Sequence, residues 1–227
     1  MPTDDAALAE LIARRVPNGG PGLILLVLEN GTTRAQLIRG LARVIEGSEL
    51  REDTIFYVGS IAKQFVAASI ALLEREGALS IDDTIASVVD DLPTWGSEVT
   101  IDHLLHHVSG LVDPGRTEHM GVPVDGIPAW SNESQLARVR ALKVLPHPPC
   151  THYIYANRGY LLLAHVVERA SGQPLSAFAR ARIFEPLGMK DSMFRDRPDP
   201  LPARAARGHF EAIDGARYEE PARFHAV

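Results

Sequence analysis

Three stretches of this chain are apolar around most of a helical circumference, and each stops at a strong breaker. Ile61 to Glu76 ends at Gly77, Asn157 to Ser171 ends at Gly172, and Leu175 to Phe184 ends before Pro186-Leu187-Gly188. A helix with little polar surface cannot face water on all sides, so these three must pack on one another or under a sheet. At 227 residues, 45% hydrophobic and 23% charged, the chain can enclose such a core as one large domain or two intimate subdomains.

The remaining elements are shorter. Asp4 to Arg15 spaces Ala7, Leu8, Leu11 and Ile12 as an amphipathic helix, which the breakers from Pro17 to Pro21 stop. Gly22 to Glu29 is a compact apolar run, and Asn30-Gly31 tolerates the positive φ of a hairpin turn. An antiparallel partner strand is therefore predicted from about Thr33 to about Ile45, one face packed and the other wet. Val99 to His107 is predicted as a short helix capped by Thr100 and closed at Ser109-Gly110. Asp113 to Ala129 has no periodicity and is expected to be a long surface excursion able to cover a site. Phe210 to Tyr218, around Asp214-Gly215, carries a hairpin signature.

A net charge of −6 with interspersed signs gives no electrostatic reason for a nucleic-acid partner. Cys150 is the sole cysteine, so neither an intrachain disulfide nor a zinc site built on several cysteines can form. The apolar run from Gly22 to Leu28 is far shorter than the ~20 residues of a spanning helix, so no membrane partner is expected. Asp4, Asp5 and Glu10 interrupt the start of the chain, which lacks the pattern of a secretory leader, and a cytoplasmic location is expected.

Ser60-Ile61-Ala62-Lys63 places a hydroxyl and an amine three residues apart at a helix start, within hydrogen-bonding reach of each other. A lysine whose ammonium is disfavoured by desolvation can take the proton of a serine hydroxyl, and the amides of a helix N-terminus can hold a developing oxyanion. Taken alone, the tetrapeptide also describes an ordinary serine cap followed by a solvated lysine. Tyr155-Ala156-Asn157 supplies a phenol and an amide just before a second helix. Each alone also fits a plainer part, Tyr155 as an anchored core aromatic and Asn157 as a helix cap. His103, His106 and His107 do not make a zincin-like arrangement, because no glutamate accompanies them in the required pattern.

Together these segments resemble the serine β-lactamase and penicillin-binding-protein superfamily, in its branch of class C β-lactamases, D,D-peptidases and related esterases. The resemblance rests on Phe56-Tyr57-Val58-Gly59-Ser60-Ile61-Ala62-Lys63-Gln64-Phe65, on Gly77 to Asp83, and on Ile101 to Leu111. It continues through Tyr155-Ala156-Asn157-Arg158-Gly159-Tyr160, Ser171-Gly172-Gln173-Pro174 and Pro186-Leu187-Gly188-Met189, and covers roughly residues 20 to 195 in order. It implies an α+β, β-lactamase/D,D-peptidase-like fold, an antiparallel sheet packed by helices with a mostly helical region over 81–175. It also implies an acyl-serine hydrolase of esters, amides or β-lactams, acting on small molecules without metal or organic cofactor. Ser60 would be the nucleophile, Lys63 and Tyr155 the acid–base groups, and Asn157 a substrate-positioning residue.

The chain departs from that pattern twice. Pro149-Cys150-Thr151 stands where the family has a Pro-Gly-Thr-like turn, and cysteine takes positive φ less readily than glycine, so the approach to Tyr155 is expected to differ locally. The family's third motif, Lys or His followed two places later by Gly, is missing: neither His209 nor His225 has that glycine. The sheet is thus expected to lack C-terminal strands, with an exposed edge that invites self-association or a completing chain. A fragment, a degenerate paralogue and a partner-completed protein all fit, as does an impaired member acting as a ligand-binding or acyl-sensing module.

Overall fold

A computed structural model describes residues 5–113, 132–195, 201–211 and 217–219. These fall into two compact units, one made by residues up to Tyr57 together with those after 200, the other by residues from Val58 to 195.

The first unit opens with helix α1 (Asp5–Arg15). It ends as Val16 N donates to Ile12 O at 2.8 Å, just before Pro17, and the Arg39 guanidinium donates to the Val16 carbonyl. Strands β1 (Leu23–Glu29) and β2 (Thr32–Arg39) pair antiparallel in a register running from Leu23 opposite Arg39 to Glu29 opposite Thr32. Asn30 and Gly31 both take positive φ, 50° and 78°, as the Asn-Gly signature requires. The predicted continuous strand to Ile45 is instead broken at Gly40, whose φ is 86° and where a Cβ would lie 2.6 Å from the Gly22 Cα. Only glycine permits this crossing of two backbones. Beyond it β3 (Leu41–Arg43) pairs with β4 (Ser48–Glu49) as a second small sheet.

The segment after residue 200 is bound into this unit. Ile55 N donates to Arg204 O at 3.0 Å, Ala206 N to Ile55 O at 2.8 Å and Arg207 N to Ala42 O at 2.9 Å. The predicted terminal hairpin is present as β5 (His209–Glu211) and β6 (Arg217–Glu219), with Phe210 opposite Tyr218; Asp214-Gly215 lies outside the described residues. Among the described residues the strands therefore form three two-stranded sheets rather than the single sheet expected. In these pairings β1 is bonded to β2 alone, with Leu26 and Leu28 exposed.

The second unit holds the large core. Helix α2 (Ala62–Arg75) buries Val66, Ile70 and Leu73. It ends in a Schellman motif: Ala78 N donates to Leu73 O and Gly77 N to Glu74 O, with Gly77 at φ 73°. Helix α3 (Ile101–Leu105) is shorter than the predicted Val99 to His107, because His107 turns to φ 58° and closes it. Thr100 and His103 make a reciprocal capping box at its start. Helix α4 (Asn132–Arg140) buries Leu136 and Val139, and the Trp95 indole donates to Leu142 O at 2.7 Å beside it.

Helix α5 (Asn157–Ser171) ends at Gly172 with φ 70°, and α6 (Leu175–Ala179) continues into a π-turn over Arg180–Phe184. Leu161, Leu162, Leu163, Val166 and Val167 of α5 join Ile70 and Phe178 in one buried cluster. Phe65 and Phe184 close it edge to face with centroids 5.1 Å apart. The described part of the 81–175 stretch lies wholly within this unit and contains α3, α4 and α5. Of the excursion from Asp113 to Ala129, only Asp113 is among the described residues. No helix of the described residues is long and apolar enough to cross a membrane.

Leu162 is fully buried at the centre of this cluster, so Leu162→Ala should cost about 2–5 kcal/mol through lost transfer energy and a residual cavity. The midpoint of urea denaturation checks this. A shift equal to that of Leu26→Ala, at a position 51% exposed, would show that the cluster is not the stabilising core.

Candidate active site

Ser60 lies in a single 3-10 turn, Gly59–Ile61, that leads directly into α2, and Gly59 enters it with φ 53°. Lys63 follows in the first turn of α2, and its Nζ stands 3.1 Å from Ser60 Oγ. The Tyr155 hydroxyl arrives from the other side, 2.6 Å from the same oxygen, over a sequence separation of 95 residues. Asn157, the first residue of α5, accepts a 2.7 Å hydrogen bond from Lys63 Nζ at its Oδ1. All four residues singled out from the sequence thus meet within one unit.

Two expectations change in detail. Lys63 is half-buried rather than buried, and its ammonium donates to both Ser60 and Asn157. Of the amides expected to face outward at the α2 terminus, Ile61 N donates to Val58 O and Ala62 N to Gly59 O, so both are engaged inside the turn.

Asp113 organises the second half of the site, and no local sequence signal marks it. Its carboxylate accepts from Asn157 N at 2.8 Å, from Arg158 N at 3.0 Å and from Asn157 Nδ2 at 2.8 Å. It therefore caps α5 from a position 44 residues earlier, where the amides and the helix dipole both favour a negative charge. The same contact fixes the Asn157 amide, so that its oxygen faces Lys63. An N-cap search looks at the residue just before a helix, and Ala156 there has no capping side chain.

The turn before Tyr155 takes a conformation that its residue type argues against. Cys150 takes φ 63°, the left-handed conformation that glycine adopts more readily. Its N–H donates to Val108 O at 2.8 Å, and Thr151 Oγ1 donates to Pro148 O at 2.7 Å. Gly110 lies against this turn with φ 81°, and a Cβ there would fall 1.9 Å from His147 O.

The three histidines have structural partners. His103 accepts from Thr100 N, His106 pairs with Asp102 at 2.9 Å, and His107 packs beside Tyr155 with centroids 4.6 Å apart. No cluster of three or more His, Cys, Asp or Glu side chains among the described residues is arranged to hold a metal ion.

Burial pushes the Tyr155 phenol upward, but hydrogen bonds with Lys63 and Ser60 and the nearby Lys63 charge outweigh it and hold the group below its ordinary value. The Asp113 charge opposes them. The Lys63 ammonium also lies 4.9 Å from the centroid of the Tyr155 ring. Tyr160 behaves oppositely: burial, then the neighbouring Tyr155 and Tyr153, raise it. The arrangement sets a serine hydroxyl against an ammonium and against a phenol that ionises more readily than a free one.

The family model named Beta-lactamase matches residues 8–225 of this chain. The chain belongs to the beta-lactamase family. It is 35% identical over 189 residues to Esterase EstB of Burkholderia gladioli, covering 76% of this chain and 47% of the esterase. It is 28% identical over 199 residues to a putative D-alanyl-D-alanine carboxypeptidase of Escherichia coli strain K12, covering 81% of this chain and 45% of that protein. The octameric penicillin-binding protein homologue from Pyrococcus abyssi superposes with a TM-score of 0.80 at 28% identity, covering 96% of this chain and 51% of that one. The chain thus spans about half, or less, of the length of these relatives. The expected β-lactamase/D,D-peptidase-like fold is the one observed.

Removing the α5 cap by Asp113→Ala should cost about 0.5–2 kcal/mol, the usual loss for a helix cap. Thermal denaturation monitored by circular dichroism checks it, and an unchanged midpoint would show that the three accepted hydrogen bonds contribute nothing to stability.

Proposed function

We propose that this chain forms an acyl-serine on Ser60 with small esters, amides or β-lactams and hydrolyses it. The single observation that carries the reading is that Ser60 Oγ stands in hydrogen-bonding range of both Lys63 Nζ and Tyr155 Oη. A serine hydroxyl is a poor nucleophile at neutral pH, and a base must accept its proton as it attacks.

Tyr155 as phenolate is suited to that task, because the adjacent ammonium favours its charged form. As the Ser60 oxygen bonds to the acyl carbon, its proton passes to Tyr155 and then, directly or through Lys63, to the departing alcohol or amine. In the second half, water gives a proton to the same base and attacks the ester carbon, and Ser60 recovers its hydrogen. Asn157 has two roles in this reading, holding Lys63 through Oδ1 and offering its remaining amide hydrogen to the substrate.

A fluorophosphonate probe should label Ser60, as peptide mapping by mass spectrometry would locate. Ser60→Ala should abolish labelling, and labelling that survives it would sink the assignment. Lys63→Ala should slow the reaction by about 10²–10⁴, the usual contribution of a positioned acid–base group. Incubation with an activated ester separates turnover from acyl sensing: release of acid in excess over protein marks hydrolysis, whereas a stable mass increase on Ser60 marks a sensor.

The pH dependence has a definite sign. A lowered phenol reaches its basic form at lower pH than free tyrosine, whose pKa is about 10. The labelling rate should therefore climb with pH to a midpoint below that value, and Tyr155→Phe should remove the rise. A midpoint at or above the free phenol's value would exclude Tyr155 as the base.

A further inference from the structure

We propose that His107 is a positioning residue for the reactive tyrosine, and that it works as a neutral imidazole with its proton on Nε2. The proposal rests on the roles given above to Ser60, Lys63 and Tyr155.

His107 closes α3 in a left-handed conformation, φ 58°, which is uncommon for any residue other than glycine. Such a conformation persists where surrounding contacts over-determine it. Three of those contacts fall on the short segment that delivers Tyr155. The His107 carbonyl accepts from Ile154 N at 2.9 Å. The ring packs against Tyr155 with centroids 4.6 Å apart, and its Nδ1 accepts from Ala156 N at 3.3 Å. One residue thus holds three consecutive positions, by backbone, by ring and by ring nitrogen. On its other side the ring lies against Tyr160 at 5.1 Å, with Tyr153 at 5.9 Å edge-on.

The Ala156 contact decides the protonation state. A backbone N–H is always a donor, so Nδ1 must present a lone pair, and a neutral ring then carries hydrogen on Nε2. Protonating Nδ1 would set two hydrogens against each other and release the Ala156 amide. The groups facing the ring are Lys63 from α2, Asp113, Tyr153 and Tyr155 from the segment before α5, and Tyr160 from α5 itself. Burial foremost, and then the Lys63 charge, disfavour the imidazolium, with Asp113 opposing. The neutral form is therefore the one that the surroundings maintain, down to lower pH than for a free histidine. Acidification through that lowered value should unseat residues 154–156, and with them the 2.6 Å contact between Tyr155 and Ser60.

The test uses the full chain, with His107→Asn and His107→Phe compared to it. Asparagine tolerates left-handed backbone, places an acceptor near the position of Nδ1, and does not titrate. Phenylalanine keeps the ring but removes the acceptor. Long-range proton–nitrogen spectra should find His107 with hydrogen on Nε2 and a bare Nδ1 at neutral pH. The Ala156 amide and Tyr155 ring signals should move together with its titration on acidification, and stay still in His107→Asn. Fluorophosphonate labelling of Ser60 should fall about threefold to tenfold in His107→Phe, as expected for one lost hydrogen bond, and be restored in His107→Asn without the wild-type loss on the acid side.

An Nδ1 that carries hydrogen at neutral pH, or an Ala156 amide indifferent to the His107 titration, would overturn the proposal. So would wild-type labelling by His107→Phe. Should that variant not fold, His107→Asn decides alone: an acid limb identical to wild type refutes a titrating His107. If the spectra behave as expected but no version labels at Ser60, the hydrolase reading fails and the positioning of Tyr155 stands.

Discussion

The packing of α2 against α5 is the contact on which everything else in the larger unit depends. Each helix carries half of the reactive cluster at its N-terminal end: Ser60 and Lys63 come with one, Tyr155 and Asn157 with the other. Buried apolar side chains from both helices, Val66, Ile70 and Leu73 of α2 and Leu162, Val166 and Val167 of α5, share one cluster and set the spacing of the two helices. An apolar interface of this kind is close-packed and resists small shifts, so it holds hydrogen bonds of 2.6–3.1 Å at its rim. The polar contacts choose among positions that the core has already narrowed.

Around that rim the charges form a chain of alternating sign and polarity. Asp113 holds the Asn157 amide, Asn157 holds the Lys63 ammonium, and Lys63 faces Ser60. Each member leaves the next one orientation, which is the geometric pre-organisation that acid–base chemistry needs. The same cation biases two rings in different ways. It favours the ionised phenol of Tyr155 and disfavours the protonated imidazole of His107. A single ammonium thereby favours an ionised phenol on one side of the ring stack and a neutral hydrogen-bond acceptor within it.

How much of this was legible in the sequence follows from the range of each signal. The Asn30-Gly31 hairpin and the glycine stops at Gly77 and Gly172 are local, and the structure has them where the residues predicted. The pairing of Ser60 with Lys63 is also local, a matter of helical spacing. Tyr155 and Asn157 had no local signal of their own and were identified through resemblance. Asp113 escaped both routes, because a cap supplied from 44 residues away leaves no periodic trace. The strand break at Gly40 was missed for a related reason: the glycine matters only because the Gly22 backbone crosses it, and that crossing is a tertiary fact. At Cys150 the residue type argued against the left-handed turn, and the hydrogen bond to Val108 O accompanies that turn all the same.

The long sequence separation between Ser60 and Tyr155 carries a consequence for the life of the chain. Contacts between positions far apart close late in folding, after local helices and turns have formed. Until they close, Ser60 is an ordinary alcohol beside a solvated lysine, no more reactive than any surface serine. On the proposed reading, nucleophilicity is therefore a property of the finished fold, and it disappears at the first step of opening that separates the two helices. On that reading a nascent or damaged molecule does not attack acyl groups, since the topology makes chemical competence and structural integrity one event.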